Sequence, residues 1–243
     1  DPKVAVGTII RDERNQVVDS DRYLGTSLSD LSTPVAAQGR AFTYDSIGNR
    51  ASSTINTTST SYTPNELNQY DAVGREEPTY DDDGNMLGEG EKLLTYNAEN
   101  QLVGVVPASV QDGDERVTFV YDYMGRRVKK SVEVRSGVSW NDGAEVAWVY
   151  SGWNKIEETR VEGATTKTKG FVWGLDLSQS MEGAGGIGGL LATVNGSGSA
   201  SVFAYDGNGN VSELIDSGSG STAAHYEYDA FGNLVMTRDS QGT

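Results

Sequence analysis

The sequence has no cysteine and a single histidine, His225. Without cysteine there are no disulfides, no cysteine-based zinc sites and no thiol nucleophile. That absence does not fix a compartment, because bacterial surface proteins often lack cysteine too. No apolar run approaches the 18 residues of a membrane-spanning helix, so no membrane insertion is expected. Positive charge is scarce as well: 19 Lys and Arg stand against 35 Asp and Glu, a net charge of −16. Binding to nucleic acid or an anionic membrane draws on clustered cations, so neither is expected as a partner. The acidity serves equally well as a solubility device. Apolar residues make up 36% of the chain, little for a compact core.

Glycine is abundant instead, with 30 residues among the 243, alongside much Ser, Thr, Asn and Asp. Such a composition suits many turns and a sheet wetted on both surfaces. The length fits one large β domain or part of a larger one.

One unit recurs from end to end. It reads Tyr44-Asp45-Ser46-Ile47-Gly48-Asn49-Arg50, then Tyr80-Asp81-Asp82-Asp83-Gly84-Asn85-Met86 and Tyr121-Asp122-Tyr123-Met124-Gly125-Arg126-Arg127. It returns as Tyr205-Asp206-Gly207-Asn208-Gly209-Asn210-Val211 and Tyr228-Asp229-Ala230-Phe231-Gly232-Asn233-Leu234. Looser copies start at Tyr70-Asp71, with Gly74, and at Tyr96-Asn97, with Asn100 in the glycine position.

Asp, two free residues and Gly is the pattern of a type I turn closed by a left-handed residue, the three-residue hairpin loop with its bulge. The Asp side chain hydrogen-bonds backbone two residues on, and Gly takes positive φ without steric cost. Two residues before most of these Tyr stands a ring or an aliphatic side chain, as in Phe42/Tyr44, Leu94/Tyr96, Phe119/Tyr121, Phe203/Tyr205 and Tyr226/Tyr228. That spacing puts both on one face of a strand. The fold expected is all-β: antiparallel hairpin repeats forming a twisted strip of sheet. Tyr44, Asp45, Gly48, Tyr80, Asp81, Gly84, Tyr121, Asp122, Gly125, Tyr205, Asp206, Gly209, Tyr228, Asp229 and Gly232 form its structural motif.

The repeats resemble those of the YD-repeat, or Rhs, family from about Phe42 onward. The block Val172-Trp173-Gly174-Leu175-Asp176-Leu177-Ser178, running into Glu182-Gly183-Ala184-Gly185-Gly186-Ile187-Gly188-Gly189-Leu190-Leu191, is similar to a passage these proteins carry shortly before a C-terminal core. The resemblance implies a sheet strip spiralling into a hollow shell, as in bacterial Rhs proteins, insecticidal toxin-complex components and teneurins. It also implies that a C-terminal core, often with an aspartic autoprotease, follows in such proteins. The chain opens at Asp1 without Met and stops at Thr243 before any such core, so it is expected to be a portion of a longer polypeptide.

Two regions are expected: a strand and connector region over 1–41, and the repeat region over 42–243 with the Gly-rich block at about 172–191. In the first, Val4 to Ile10 has strand character and Asp30 to Pro34 reads as a loop. In the second, Ser52 to Ser61 reads as an exposed strand pair, and Thr63 to Gln69 breaks the repeat. Glu145 to Tyr150 is the clearest buried strand, and Trp140, Trp148, Trp153 and Trp173 mark where the interior packs best.

No motif carries chemistry. Gly183 to Gly188 matches G-x-G-x-x-G by letter, but a strand-like Leu190 to Val194 follows where a dinucleotide fold needs a helix. Asp206 to Asn210 starts like a calcium loop, yet Val211 stands where Gly is required and no Glu closes it. His225 has no paired nucleophile in sequence and is expected to pack on a strand. No catalytic residue, metal site or cofactor is assigned, and the tyrosine rings are read as core before sugar-stacking surface.

The function expected is that of a non-enzymatic structural protein of bacterial YD-repeat type, a scaffold or shell segment in an extracellular or cell-surface location. Its partners would be further repeat segments of the same polypeptide or copies of itself, with an enclosed C-terminal toxin or surface glycans as further candidates. A self-assembling fibre or oligomer built through open sheet edges, and a carbohydrate-binding adhesin module, are the competing readings.

Overall fold

The computed structural model describes residues 4–27, 29–36 and 38–239, and among them there is no helix. Among the described residues, alternating side chains and a turn every few residues give twenty antiparallel strands, each paired with at least one neighbour in sequence. The chain divides into two compact units, Asp1–Gly90 with Asp229–Val235, and Glu91–Tyr228 with Met236–Thr243.

The first unit holds a six-stranded sheet of β1 (Val4–Arg11), β2 (Val17–Gly25), β3 (Arg40–Tyr44), β4 (Arg50–Ile55), β5 (Thr58–Pro64) and β6 (Tyr70–Val73). The short β7 (Thr79–Tyr80) and β8 (Met86–Glu89) follow. Strand alternation sorts β3 to β5 into two faces. On one, Thr43 meets Ser52 and Thr54 meets Ser59 in a ladder of hydroxyl pairs at 2.6 and 2.8 Å. On the other stand Phe42, its cross-strand partner Ser53, and Tyr62, whose hydroxyl is 3.2 Å from that of Ser53. The Ser- and Thr-rich stretch is therefore a strand pair, as its β-branched residues suggest.

The second unit continues with β9 (Lys92–Tyr96), β10 (Leu102–Pro107), β11 (Glu115–Tyr121), β12 (Arg127–Ser136), β13 (Ser139–Ser151), β14 (Asn154–Glu162) and β15 (Thr165–Trp173). Then come β16 (Leu190–Asn195), β17 (Ala200–Tyr205), β18 (Val211–Asp216) and β19 (Thr222–Tyr228), while β20 (Leu234–Asp239) carries the chain out of the first unit's last segment. Within this unit the strand order from β9 to β19 follows the sequence.

A single layer of sheet buries little. Val17, Phe42 and Val146 are the buried hydrophobic residues among those described, at 5%, 6% and 7% exposure. The stretch Glu145 to Tyr150 accordingly buries Val146 but leaves Val149 half exposed, because only one face of β13 is covered. Trp153 is not interior: it sits in the turn between β13 and β14 and is 59% exposed. Trp148 and Trp173 are strand residues whose indole N–H groups are satisfied, by Glu158 and by the carbonyl of Lys155.

Candidate functional site

The feature that repeats most strictly is the hairpin corner. In ten places among the described residues the N–H of a first residue donates to the carbonyl four residues on, and the N–H three residues on donates back to the first residue's carbonyl. Three residues lie between the closing pair, and the last of them has positive φ in every case. The five full motif copies behave this way, at Asp45/Gly48, Asp81/Gly84, Asp122/Gly125, Asp206/Gly209 and Asp229/Gly232, as does Asn97/Asn100.

Each first residue caps its own loop. The Oδ1 of Asp122 accepts from the N–H groups of Met124 and Arg126 at 2.9 and 3.0 Å, and Asp45, Asp81, Asp206 and Asp229 do the same at positions two and four. The second carboxylate oxygen takes the side chain after the glycine: Asn49 on Asp45, Asn85 on Asp81, Arg126 on Asp122, Asn210 on Asp206 and Asn233 on Asp229. This explains the recurring Asn, whose role the spacing of Asp and Gly alone does not reveal. At Asp45, desolvation works to raise the carboxyl, but the hydrogen bonds from the Asn49 side chain and the Asn49, Ile47 and Gly48 N–H groups outweigh it and hold it below the ordinary aspartate value.

Four corners escape the Tyr-Asp pattern. Asp12 with Asn15 joins β1 to β2, Asn65 with Asn68 joins β5 to β6, Asp176 with Gln179 lies in the Gly-rich passage, and Asn195 with Gly198 joins β16 to β17. Thr63 to Gln69 therefore continues the repeat, with Pro64 in the tyrosine position. Conversely, Tyr70-Asp71 is not a corner. It lies in β6, and the chain turns at Gly74-Arg75, where Val73 and Glu76 exchange backbone hydrogen bonds. Asp71 comes too soon after the Asn65 corner, before a strand has crossed the strip.

Tyrosine links one corner to the next. The hydroxyl of Tyr44 donates to the carbonyl of Val17, that of Tyr121 to Leu102, that of Tyr150 to Arg127 and that of Tyr228 to Val211, at 2.8–2.9 Å. Each acceptor is the residue immediately after a preceding corner. Tyr80 reaches Tyr70 in the same sense at 3.3 Å, Tyr205 bonds the carbonyl of Leu190, which follows the Gly-rich loop, and Tyr70 accepts from the N–H of Arg50. In an antiparallel meander alternate turns lie on alternate edges, so these linked corners share one edge of their sheet.

The Gly-rich block folds around Asp176. The residue is 5% exposed, and its carboxylate accepts from the Ser178 hydroxyl at 2.5 Å and from the N–H groups of Ser178, Ala184 and Gly186 at 2.9, 2.6 and 3.2 Å. The Ser178 hydroxyl bond, then those N–H groups, overcome desolvation and lower its carboxyl to about 2. In loop 174–189 it is Gly186, with φ of 78° beside the Trp173 ring, whose backbone closes on the carboxylate. It leads into β16 rather than into a helix.

Other polar groups are engaged structurally too. Asp206 spends both oxygens on its own corner. His225 on β19 faces Glu227 at 3.0 Å and Glu213 at 3.6 Å. Among the described residues no group of three His, Asp or Glu is arranged to hold a metal ion.

Two family models match: the teneurin YD-shell over residues 27–139, and the RHS repeat over residues 205–243. Both matched segments are of the YD-repeat, or Rhs, type. Curated relatives include the tRNA3(Ser)-specific nuclease WapA of Bacillus spizizenii, 29% identical over 205 residues, and the tRNA nuclease WapA of Bacillus subtilis, 28% identical over 205. Each alignment covers 82% of this chain, which spans 8% of the relative's length. Among solved structures, the crystal structure of TcdB2-TccC3 aligns at 13% identity and a TM-score of 0.45, covering 96% of this chain and 15% of that one. The Tc holotoxin pore of Photorhabdus luminescens gives the same identity, TM-score and coverage. The segment matching the YD-shell model is antiparallel β-hairpin strip, and that match begins upstream of the first full motif at Tyr44.

Proposed function

We propose that this chain is a non-enzymatic segment of the shell of a bacterial YD-repeat protein that is secreted or surface-exposed. The observation that carries the reading is where the polar side chains go. At the corners, carboxylates bind backbone N–H groups and tyrosine hydroxyls bind the carbonyl after the preceding corner. Groups that could do chemistry are spent on holding strand to strand. The relatives' nuclease names describe proteins of which this chain spans 8%, and we assign that activity to their other parts. On this reading the partners are further repeat segments of the same polypeptide, with a toxin enclosed by the assembled shell. Residues 1–41 would serve as its strand and connector region and 42–243 as the repeat region proper.

A second reading, self-assembly through open edges, draws on β1. It is the outer strand of the six-stranded sheet, and it exposes Ile9 and Ile10 at 46% and 55%. An outer strand with apolar side chains is a template for another chain. A carbohydrate-binding adhesin is less favoured, because the repeat tyrosines are half-buried and their hydroxyls are occupied.

Light scattering of the purified chain, paired with negative-stain microscopy, separates the first two. A discrete monomer at micromolar concentration supports the shell segment. Filaments or a defined oligomer would overturn it in favour of self-assembly. Cleavage of added tRNA by the chain alone would sink the non-enzymatic reading.

A further inference from the structure

Within the first unit, the segment Asp229–Val235 lies on the ring-bearing face of β3 and β4. The guanidinium carbon of Arg50 is 4.7 Å from the centre of the Phe42 ring and 4.8 Å from that of Phe231, with Tyr62 at 5.9 Å. The two phenylalanines meet edge to face, their centroids 4.9 Å apart at 82°. Beside them Arg40 Nε is 3.1 Å from Asp229 Oδ2, with the two side chains 14% and 5% exposed. The Nε of Arg50 is buried without a hydrogen-bond partner, so at that nitrogen the aromatic faces take the place of an acceptor. Ser53, opposite Phe42, is small enough to leave room for this stack.

The occupant is unusual among the corners. Two residues after the first, the Asp229 corner alone among the ten carries an aromatic ring; the others carry Ile47, Leu67, Met124 or a polar residue. At that position Ile47 and Leu67 are 75% and 78% exposed, Met124 37% and Phe231 44%, so the ring is distinguished by its stacking on Arg50 and Phe42 and not by burial alone. A guanidinium gains from a ring quadrupole and not from an aliphatic side chain, and Arg40 gains from an acid.

We propose that the Phe42–Arg50 face, with Arg40 beside it, is a recognition site for one corner chemistry. It takes an acidic first residue followed two positions later by an aromatic ring, and it thereby selects the Asp229–Phe231 corner from the ten found among the described residues. Apolar bulk alone does not satisfy it.

The test is hydrogen exchange of the full chain, read by mass spectrometry on the peptide covering residues 40–55, with β13–β14 as internal reference. Phe231→Leu keeps the corner and its bulk but removes the ring, and should raise exchange over 40–55 about tenfold while the reference is unchanged. Phe231→Tyr should retain protection. Arg50→Met should raise exchange less in the Phe231→Leu background than in the parent chain, because the contact shared with Phe231 is already gone while those with Phe42 and Tyr62 remain to be lost. Protection by Leu equal to that by Phe, or additive effects of the two substitutions, would overturn the proposal. If the Phe231 variants do not fold, Arg40→Gln reads the acidic half. Exchange should then rise over 229–235, and an unchanged rate there would overturn it equally.

Discussion

The hydroxyl of Tyr228 donates to the carbonyl of Val211 at 2.8 Å, and Val211 is the first residue after the Asp206 corner. The tyrosine of one corner thus fixes the strand leaving the one before it. This is a tie between neighbours of the kind on which a repeat array depends, since each repeat touches mainly the next. Tyr228→Phe removes that hydrogen bond, so it should cost about 1 kcal/mol in urea unfolding. Tyr123→Phe, at a side chain 94% exposed, should cost nothing measurable. Equal midpoints for the two variants would remove the tyrosine link from the account of stability.

Backbone conformation gives a second expectation. Gly125 closes its corner at φ 76°, where a Cβ is strained whatever the space around it. Gly125→Ala should therefore lose about 1–2 kcal/mol. Gly7 in β1 has ordinary φ and nothing within 4 Å of where a Cβ would stand, so Gly7→Ala should be neutral or slightly stabilising. Thermal melts of the two variants side by side check this, and an equal loss would argue that the corner geometry carries no strain.

The corners show what a sequence makes visible. Where Asp, Gly and Tyr coincide, as at Asp45, Asp122 and Asp229, each letter answers a separate physical need: a loop cap, a left-handed position and a hydroxyl for the preceding strand. Where other residues meet those needs the pattern disappears from view. Asn65 caps as Asp does, Asn15 and Asn68 take positive φ as Gly does, and Pro64 stands where tyrosine would. Tyr70-Asp71 has the letters but lacks the strand before it. The Asp176 knot was hidden for another reason, because its acceptors and donors are up to ten residues apart and meet only once the loop closes. The stack of Phe42, Arg50 and Phe231 joins residues from opposite ends of the chain, which local periodicity cannot report.

Asp176 sets an acid limit. Its carboxyl is lowered to about 2 from an ordinary value of 3.8, first by the Ser178 hydroxyl and then by backbone N–H groups acting against desolvation. A depressed folded-state value contributes stability above the unfolded value that is lost as pH falls through the folded one. Asp45, Asp81, Asp122 and Asp206 are shifted in the same direction. The melting temperature should therefore hold above about pH 4 and fall steadily toward pH 2. Asp176→Asn should lower it at neutral pH, because the amide would turn N–H groups toward those of Ala184 and Gly186, and should flatten the acid slope. A slope identical to that of the parent chain would show that Asp176 is not among the groups responsible.

Gln179 offers a gain. It occupies the left-handed position of the Asp176 corner at φ 61°, where six of the ten corners carry Gly and three carry Asn. A glutamine there keeps the steric cost that glycine avoids, and its side chain is too long for the local hydrogen bonds that make asparagine tolerant. Gln179→Gly should relieve about 1 kcal/mol of that cost, less what the freer unfolded chain takes back. Gln179→Asn should gain part of it without the entropic loss. The urea midpoints of both variants should lie above that of the parent chain. A drop for both would mean that the Gln179 side chain itself supports the loop, and that the strain at this corner is compensated where it stands.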